Sequence, residues 1–178
     1  MILVVAATDR ELEGFRTGDA FACGVGPVEA AAATARVLAE RRPDLLLHVG
    51  IAGGRGIAPP QLVIGSEAVY EDAAGSKWVP GRVVPDHLLV EAARRALPGA
   101  LVQPIGTSAR VGGASGCQVE AMEGFAVLRA AELAGVPAVE VRAVSNEINE
   151  QDRELWRIDD AIAALNVAVP RLLTELGR

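Results

Sequence analysis

The hydrophobic residues of this chain fall into short apolar runs that alternate with longer segments of helical composition. The apolar runs predict strands at residues 2–7, 20–23, 45–49, 62–70 and 138–144, and one or two strands within residues 101–111. The longer segments predict helices at residues 28–41, 86–96, 121–134 and 152–176, the last with a break before Pro170. Strands separated by helices of this length predict an α/β fold with three layers, α/β/α, around a central twisted mixed sheet.

Length and composition favour a single domain over residues 1–178. Of the 178 residues, 51% are hydrophobic and 22% are charged, which is typical of a globular protein. The net charge of −6 argues against nucleic acid and an anionic membrane surface as partners, so we expect a small-molecule ligand. No apolar run approaches the ~20 residues needed to cross a bilayer. The chain has two cysteines and its first residues lack the pattern of a signal peptide, so we expect a cytoplasmic protein with reduced thiols.

Two charged residues interrupt the apolar run at residues 138–144. Glu140 and Arg142 alternate there with aliphatic side chains, and Ser145 and Asn146 follow. Because an unpaired charge in a buried parallel strand is costly, these residues suggest a functional site.

Polar residues also follow other predicted strands. Glu11 comes shortly after the first strand, residues 50–56 form a glycine-rich loop after the third, and Glu123 lies near the start of a helix. In sheets of this kind, ligands bind at the carboxyl ends of the strands. If these segments converge, they bring together two carboxylates, a guanidinium, an amide and backbone N–H groups, a set that suits a nucleoside.

Other catalytic motifs are missing from the sequence. The pair Gly24 and Gly26 could begin a dinucleotide fingerprint, but Glu29 stands where its third glycine belongs and would repel a pyrophosphate. There is no Walker lysine and no GxSxG elbow, and His48 and His87 lack the spacing of a metal pair. We therefore expect no metal and no organic cofactor.

Four segments resemble the nucleoside phosphorylase and nucleosidase superfamily: residues 24–31, 43–54, 120–124 and 141–146. The resemblance spans most of the chain and implies a nucleoside phosphorylase-like fold. Within the superfamily, Ser145-Asn146 followed by Asp152-Arg153 and Trp156 is similar to the futalosine hydrolases, the menaquinone-pathway enzymes that remove hypoxanthine from futalosine. The resemblance implies hydrolysis of an N-glycosidic bond. It also implies a homo-oligomer whose neighbouring subunits border the site.

The resemblance assigns roles to four residues. Glu123 and Met122 match the pair that binds the ribose, where an ionised carboxylate attracts the positive charge of an oxocarbenium-like transition state. Glu11 matches the acidic residue that activates the attacking water, and Arg142 matches the arginine that organises this network. Without these roles, Glu11 would be a solvated residue at a helix start, and Glu123 and Arg142 would form a buried structural ion pair.

Asn146 is the residue from which we predict the base of the substrate. Relatives that act on adenine nucleosides have an aspartate at this position, whose carboxylate would oppose the O6 acceptor of hypoxanthine. An asparagine offers a donor to O6 and an acceptor to a protonated N7, so it suits a 6-oxopurine. Ser145 either supports Asn146 through its hydroxyl or only caps a turn.

The glycine-rich loop and the segment at residues 109–119 complete the expected pocket. The glycines allow positive φ and a close approach of the backbone to a ligand, which makes Ile51, Ala52 and Gly53 candidate binding residues. Ile51 replaces a hydroxyl residue found in relatives, which disfavours a phosphate site and favours water as the nucleophile.

The segment at residues 109–119 is shorter than the part of relatives that covers the base, and Val111 or the backbone of Arg110 is the candidate to stack on it. Arg55 and Arg110 are candidates to bind the aryl carboxylate of futalosine. Trp156 either closes over the substrate or belongs to the core.

The sequence therefore predicts a nucleosidase that cleaves futalosine, with three alternatives. The first is another purine nucleosidase, of the methylthioadenosine and adenosylhomocysteine type, or a purine nucleoside phosphorylase, which would require phosphate. The second is a protein that binds nucleosides without turnover, and the third is an α/β scaffold without a site.

Overall fold

The computed structural model describes residues 1–15, 19–112 and 116–178. Within these residues the chain forms eight strands and four α-helices. The strands are β1 (Ile2–Ala6), β2 (Ala20–Ala22), β3 (Leu45–Gly54), β4 (Leu62–Tyr70), β5 (Arg82–Val83), β6 (Leu101–Thr107), β7 (Val119–Ala121) and β8 (Ala138–Glu147). The helices are α1 (Pro27–Arg41), α2 (His87–Ala96), α3 (Gly124–Ala134) and α4 (Ile158–Leu176). Short 3-10 segments lie at Asp9–Phe15, Glu71–Ala73 and Arg153–Leu155.

All eight strands belong to one mixed sheet, which closes on itself. β1 pairs in parallel with β2 and β3, and β3 pairs in parallel with β8. β8 also pairs antiparallel with β4, and β4 pairs in parallel with β6. β6 pairs in parallel with β7, and β7 pairs antiparallel with the end of β3. Five strands therefore form a ring, and β5 is added at the outer side of β4. The predicted mixed sheet is confirmed.

Helices cover both faces of the sheet, as the alternation of side chains on β1 shows. Leu3 and Val5 pack in the cluster that contains α1 and α3, whereas Val4 and Ala6 pack in the cluster that contains α4. Successive side chains of a strand point to opposite faces, so two apolar faces need two helical layers. The predicted three-layer α/β/α architecture is confirmed. A small third core lies inside the ring and takes residues from all five of its strands: Ala52, Val63, Ile105, Val119, Ala121 and Val144.

Several element boundaries differ from the prediction: the last helix begins at Ile158 instead of residue 152, and β6 ends at Thr107. Three further differences lie in the strands beside the site. Residues 50–54 are not a loop but the second half of β3, and in residues 50–56 only Gly56 has a positive φ, of 66°. β8 continues through Asn146 to Glu147, so the polar pair lies within the strand. The helix predicted from residue 121 begins only at Gly124, and Ala121 is the last residue of the short strand β7. Glycine weakens a strand unless close packing requires it, and Gly50 meets that condition, as described below.

The predicted break in the last helix is wrong. α4 runs from Ile158 to Leu176 with Pro170 inside it. Proline removes one backbone hydrogen bond from a helix, but the buried side chains of Val169 and Leu172 on either side hold this helix against the sheet. No helix in the described ranges is both long and apolar enough to span a membrane.

Candidate active site

A cavity of ≈ 290 Å³ opens at the carboxyl ends of the central strands. Its walls include residues that follow β1, residues of β3, β7 and β8, and the first turns of α4. The predicted convergence of Glu11, Glu123 and Asn146 is found, because all three line this cavity. Arg142 is fully buried and lies behind Glu123.

Glu11 is held by three hydrogen bonds. Its Oε2 atom accepts from the backbone N–H and the hydroxyl of Thr8, at 2.9 and 2.8 Å, and its Oε1 atom accepts from the N–H of Ile51 at 3.0 Å. The residue is 5% exposed, so Glu11 is not merely a solvated residue at a helix start. These bonds fix the carboxylate at the junction between the end of β1 and the middle of β3.

Glu123 occupies the N-cap position of α3, but its side chain does not cap the helix. Instead, Oε1 accepts from the N–H of Gly26 at 3.1 Å, and Oε2 lies 3.6 Å from Nη2 of Arg142. Gly26 has φ of 91°, a conformation that side chains rarely adopt. The turn before α1 therefore uses its glycine to aim an N–H group at the carboxylate.

Arg142 is the centre of a buried polar row across β3 and β8. Its Nε atom donates to Oε1 of Glu140 at 2.7 Å, Nη2 lies 2.5 Å from Nε2 of His48, and Nη1 lies 3.4 Å from the carbonyl oxygen of Ile51. His48 in turn contacts the carbonyl oxygen of Val5 through Nδ1 at 3.0 Å. The charged residues of β8 are thus paired, and their side chains share the face of the sheet that α1 and α3 cover.

The pKa directions in this row favour one protonation pattern. Burial opposes the charge of Arg142, but the carboxylates of Glu140, Glu123 and Glu11 raise its pKa, so the guanidinium stays charged. Burial and the nearby guanidinium lower the pKa of His48 well below its usual range. His48 is therefore neutral, donates through Nδ1 to the Val5 carbonyl and accepts from Arg142 through Nε2. Burial raises the pKa of Glu140, an effect that Arg142 partly offsets.

Gly50 explains why a glycine lies in the middle of β3. A Cβ atom at this position would lie 2.3 Å from Nη1 of Arg142 and 2.7 Å from Oε1 of Glu11. Both distances are far below van der Waals contact. The missing side chain therefore provides the space in which the guanidinium and the carboxylate meet.

Asn146 presents its amide to the cavity with two of its four hydrogen bonds made. Oδ1 accepts from the hydroxyl of Ser145 at 2.7 Å, and Nδ2 donates to the carbonyl oxygen of Glu147 at 3.0 Å. Among the contacts of the described residues, one N–H and one lone pair of this amide have no protein partner and are placed for a ligand. Ser145 thus contacts Asn146 and lines the cavity, and it does not cap a turn.

The remaining predicted binding residues also reach the cavity. Met122, Ile51, Ala52 and Gly53 line it, as does Val111, which is 48% exposed. The predicted covering segment includes residues 113–115, which lie outside the described residues.

Basic residues are placed differently from the prediction. Arg55 and Arg110 do not line the cavity, whereas Arg10 does, next to Glu11 in the 3-10 segment. Trp156 also lines it, which favours contact with the substrate over the core role. The cavity lining also includes residues that were not predicted from the sequence, among them Arg10 and two residues of α4, Ile158 and Ile162. The sequence holds no signal that distinguishes Arg10 from a solvated arginine at the start of a helical segment.

Cys23 lies behind the site. It is buried, and burial together with the charge of Glu123 raises the pKa of its thiol to about 12. Cys23 and Cys117 are not joined by a disulfide. Among the described residues, no group of three His, Cys, Asp or Glu side chains is arranged to hold a metal ion.

Comparison with known proteins identifies the family. The chain matches the model of the phosphorylase superfamily over residues 16–105. The chain belongs to this superfamily. A futalosine hydrolase of Streptomyces coelicolor is 37% identical to it, over 89% of this chain and 79% of the relative. A second, from Acidothermus cellulolyticus, is 32% identical over 88% of this chain and 75% of the relative.

A solved nucleosidase structure has the same fold. The 5'-methylthioadenosine/S-adenosylhomocysteine nucleosidase of Neisseria meningitidis, solved with methylthio-immucillin-A, matches with a TM-score of 0.84. The match covers 97% of both chains at 24% sequence identity. The predicted nucleoside phosphorylase-like fold is confirmed.

Proposed function

We propose that this member of the phosphorylase superfamily hydrolyses the N-glycosidic bond of futalosine and releases hypoxanthine and dehypoxanthine futalosine, as a step of menaquinone biosynthesis. The observation that carries the proposal is the meeting of Glu11, Glu123 and Asn146 on one cavity. The futalosine hydrolases that are similar over most of the chain support the choice of substrate.

In the proposed reaction, Glu123 binds the ribose and stabilises its developing charge. Glycosidic cleavage passes through an oxocarbenium-like sugar. A carboxylate fixed by the Gly26 N–H gains attraction as that charge forms, without having to reorganise. Met122 lines the same cavity and would pack against the sugar.

Glu11 would accept a proton from the attacking water. Its carboxylate faces the cavity while the Thr8 and Ile51 donors hold it in place, which is the preorganisation that a general base needs. Arg142 does not line the cavity, so its proposed role is to position Glu123 and the backbone of Ile51.

Asn146 would recognise the base. Its free N–H suits O6 of hypoxanthine, and the free lone pair of Oδ1 suits an N–H at N7. When the glycosidic bond breaks, its electron pair stays on N9, and a proton taken up by N7 from solvent neutralises the charge of the departing base. The Ser145 hydroxyl fixes the orientation of the amide.

The alternative function is hydrolysis of methylthioadenosine or adenosylhomocysteine, or phosphorolysis of a purine nucleoside. The fold is shared with a nucleosidase of the first kind. Asn146 argues against a 6-aminopurine, because its Nδ2 donor would face the amino group. Ile51 on the cavity lining offers no hydroxyl for a phosphate.

The proposal includes a cytoplasmic homo-oligomer that needs no cofactor. Cys23 and Cys117 as thiols, without a disulfide between them, suit a reducing compartment. The half-exposed Val111 at the cavity would be covered by a neighbouring subunit. Light scattering would test the oligomer, and a monomeric mass would contradict it.

Release of the base from a panel of nucleosides tests the function. The purified protein is incubated without phosphate with futalosine, aminofutalosine, inosine and methylthioadenosine. Futalosine should have the highest kcat/KM, and Glu11→Gln should abolish its turnover while leaving product affinity nearly unchanged, because a general base acts mainly in the transition state. A preference for methylthioadenosine, or turnover only after phosphate is added, would favour the alternative.

A further inference from the structure

The cavity has an apolar end that the proposed chemistry does not use. Ile158 and Ile162 of α4 line it, and Trp156 lies just before that helix and lines it too. Residues four apart on a helix share one face, so the two isoleucines form one apolar surface beside the tryptophan ring. This end suits a flat or extended hydrocarbon group.

Arg10 lies at the same end. Its Nη2 atom is 2.6 Å from Oδ1 of Asp159, the residue after Ile158, so the guanidinium is beside the first turn of α4. Among the described residues that line the cavity, Arg10 is the one with a cationic side chain. Its side chain is 56% exposed, so it is accessible to a ligand.

The part of the cavity lining that includes Glu11 and Glu123 has the opposite charge. Glu11 and Glu123 place two carboxylates there, and Glu120 also lines the cavity. An anionic group of a ligand would be repelled at that end. The cavity therefore orients a ligand with its sugar at the glutamates and any carboxylate at Arg10.

We propose that Arg10, together with the apolar surface of Trp156, Ile158 and Ile162, binds an aryl group that ends in a carboxylate. The inference rests on the proposed function, in which this group is the aryl carboxylate of futalosine. A guanidinium has five N–H donors, and the bond to Asp159 needs one. Because Asp159 is 89% exposed, its side chain is free to turn into solvent when the ligand carboxylate binds.

Kinetics with and without the aryl carboxylate test this subsite. Arg10→Gln should raise KM for futalosine roughly ten- to a hundredfold, the range of a charge-assisted hydrogen bond. For inosine, which has the same base and ribose without the arylcarboxylate arm, kcat/KM should be unchanged. Arg10→Lys should restore part of the lost affinity, because it keeps the charge without the planar fork. Asp159→Asn should lower KM for futalosine slightly, since it removes a competing carboxylate.

The matched control is Arg95→Gln. Arg95 forms an ion pair of the same kind, with Glu175 at 2.8 Å, and is 61% exposed, but it lies on α2 away from the cavity. Arg153→Gln is a second comparison, because Arg153 lies 5.6 Å from the Trp156 ring without lining the main cavity.

A methyl ester of futalosine, which lacks the negative charge of the carboxylate, should bind wild type and Arg10→Gln equally well.

The outcomes separate this inference from the proposed function. Equal losses of futalosine and inosine turnover in Arg10→Gln, or a large loss in Arg153→Gln alone, would overturn the subsite while leaving the function intact. If wild type releases no hypoxanthine from futalosine, the proposed function fails and the subsite fails with it.

Discussion

At the scale of single residues, the site depends on two carboxylates, Glu11 and Glu123. Each is held by N–H and O–H donors of the protein and also faces the cavity. Glu123 combines the N–H of Gly26 with a guanidinium 3.6 Å away, and Glu11 combines Thr8 with the N–H of Ile51. Such groups act on a charge that appears during the reaction without having to move.

Replacing Glu123 by Gln tests the electrostatic part of this account. The amide oxygen can still accept from Gly26, but the negative charge is lost, so kcat should fall roughly 10²- to 10³-fold. The melting temperature should stay close to that of wild type. Glu132→Gln, at an exposed site on the same helix, is the matched control and should change neither value. A near-normal kcat for Glu123→Gln would remove this residue from the mechanism.

Replacing Asn146 by Asp tests recognition of the base. The carboxylate would face O6 without a donor, and such a polar mismatch costs about 1–3 kcal/mol, or roughly ten- to a hundredfold in kcat/KM. Turnover of aminofutalosine should fall less, because a carboxylate accepts from a 6-amino group. The measurement is the ratio of kcat/KM for the two substrates. The variant also loses the hydrogen bond from Asn146 to the Glu147 carbonyl, but this loss affects both substrates alike and cancels in the ratio. An unchanged ratio would show that Asn146 does not read the base.

Most residues at the glutamate end of the cavity could be predicted from the sequence, because polar residues at strand ends and the family motifs both indicate Glu11, Glu123 and Asn146. Arg10 could not, since an arginine at the start of a 3-10 segment has the pattern of any solvated residue. Ile158 could not be predicted either. An apolar residue of an amphipathic helix has the same sequence pattern whether it faces a cavity or the core.

At the scale of elements, the site depends on the pairing of β3 with β8. Their register sets His48 beside Glu140 and Gly50 beside Arg142, so the polar row follows from two strands that each alternate with period two. The sequence predicted a loop at residues 50–54 because glycines favour turns. Their actual role is visible only when the neighbouring strand is known, since each makes room for a side chain from another segment.

Gly50→Ala tests that role. The new Cβ would have to displace both Arg142 and Glu11, so kcat/KM for futalosine should fall by more than tenfold, and the melting temperature should fall because overpacking costs about 1–3 kcal/mol. The control is Gly99→Ala, where a Cβ has open space and no positive φ forbids it. Full activity of Gly50→Ala would mean that the guanidinium and carboxylate do not need their present positions.

At the scale of the whole molecule, the buried neutral His48 makes stability depend on pH. Its folded pKa is lowered, so the unfolded chain takes up a proton below its ordinary pKa of 6.5 and the folded chain does not. The contribution to stability is thus complete above pH 6.5 and is lost as pH falls below it, by up to about 1.4 kcal/mol per pH unit.

Chemical denaturation between pH 5 and 8 measures this contribution. Below pH 6.5 the unfolding free energy should fall less in His48→Gln than in wild type. Subtracting one curve from the other removes the contribution of the other titrating groups, which both proteins share. His87→Gln, at the exposed start of α2, should keep the wild-type slope. Parallel curves for wild type and His48→Gln would contradict a neutral His48.

The proposed reaction is tested most directly by mass spectrometry of the products that wild type forms from futalosine in phosphate buffer. We expect equal amounts of hypoxanthine and of dehypoxanthine futalosine with a free anomeric hydroxyl, because Glu11 activates water and the Ile51 position lacks a hydroxyl for phosphate. A sugar 1-phosphate would show that phosphate is the nucleophile, and intact futalosine would contradict the proposed function itself.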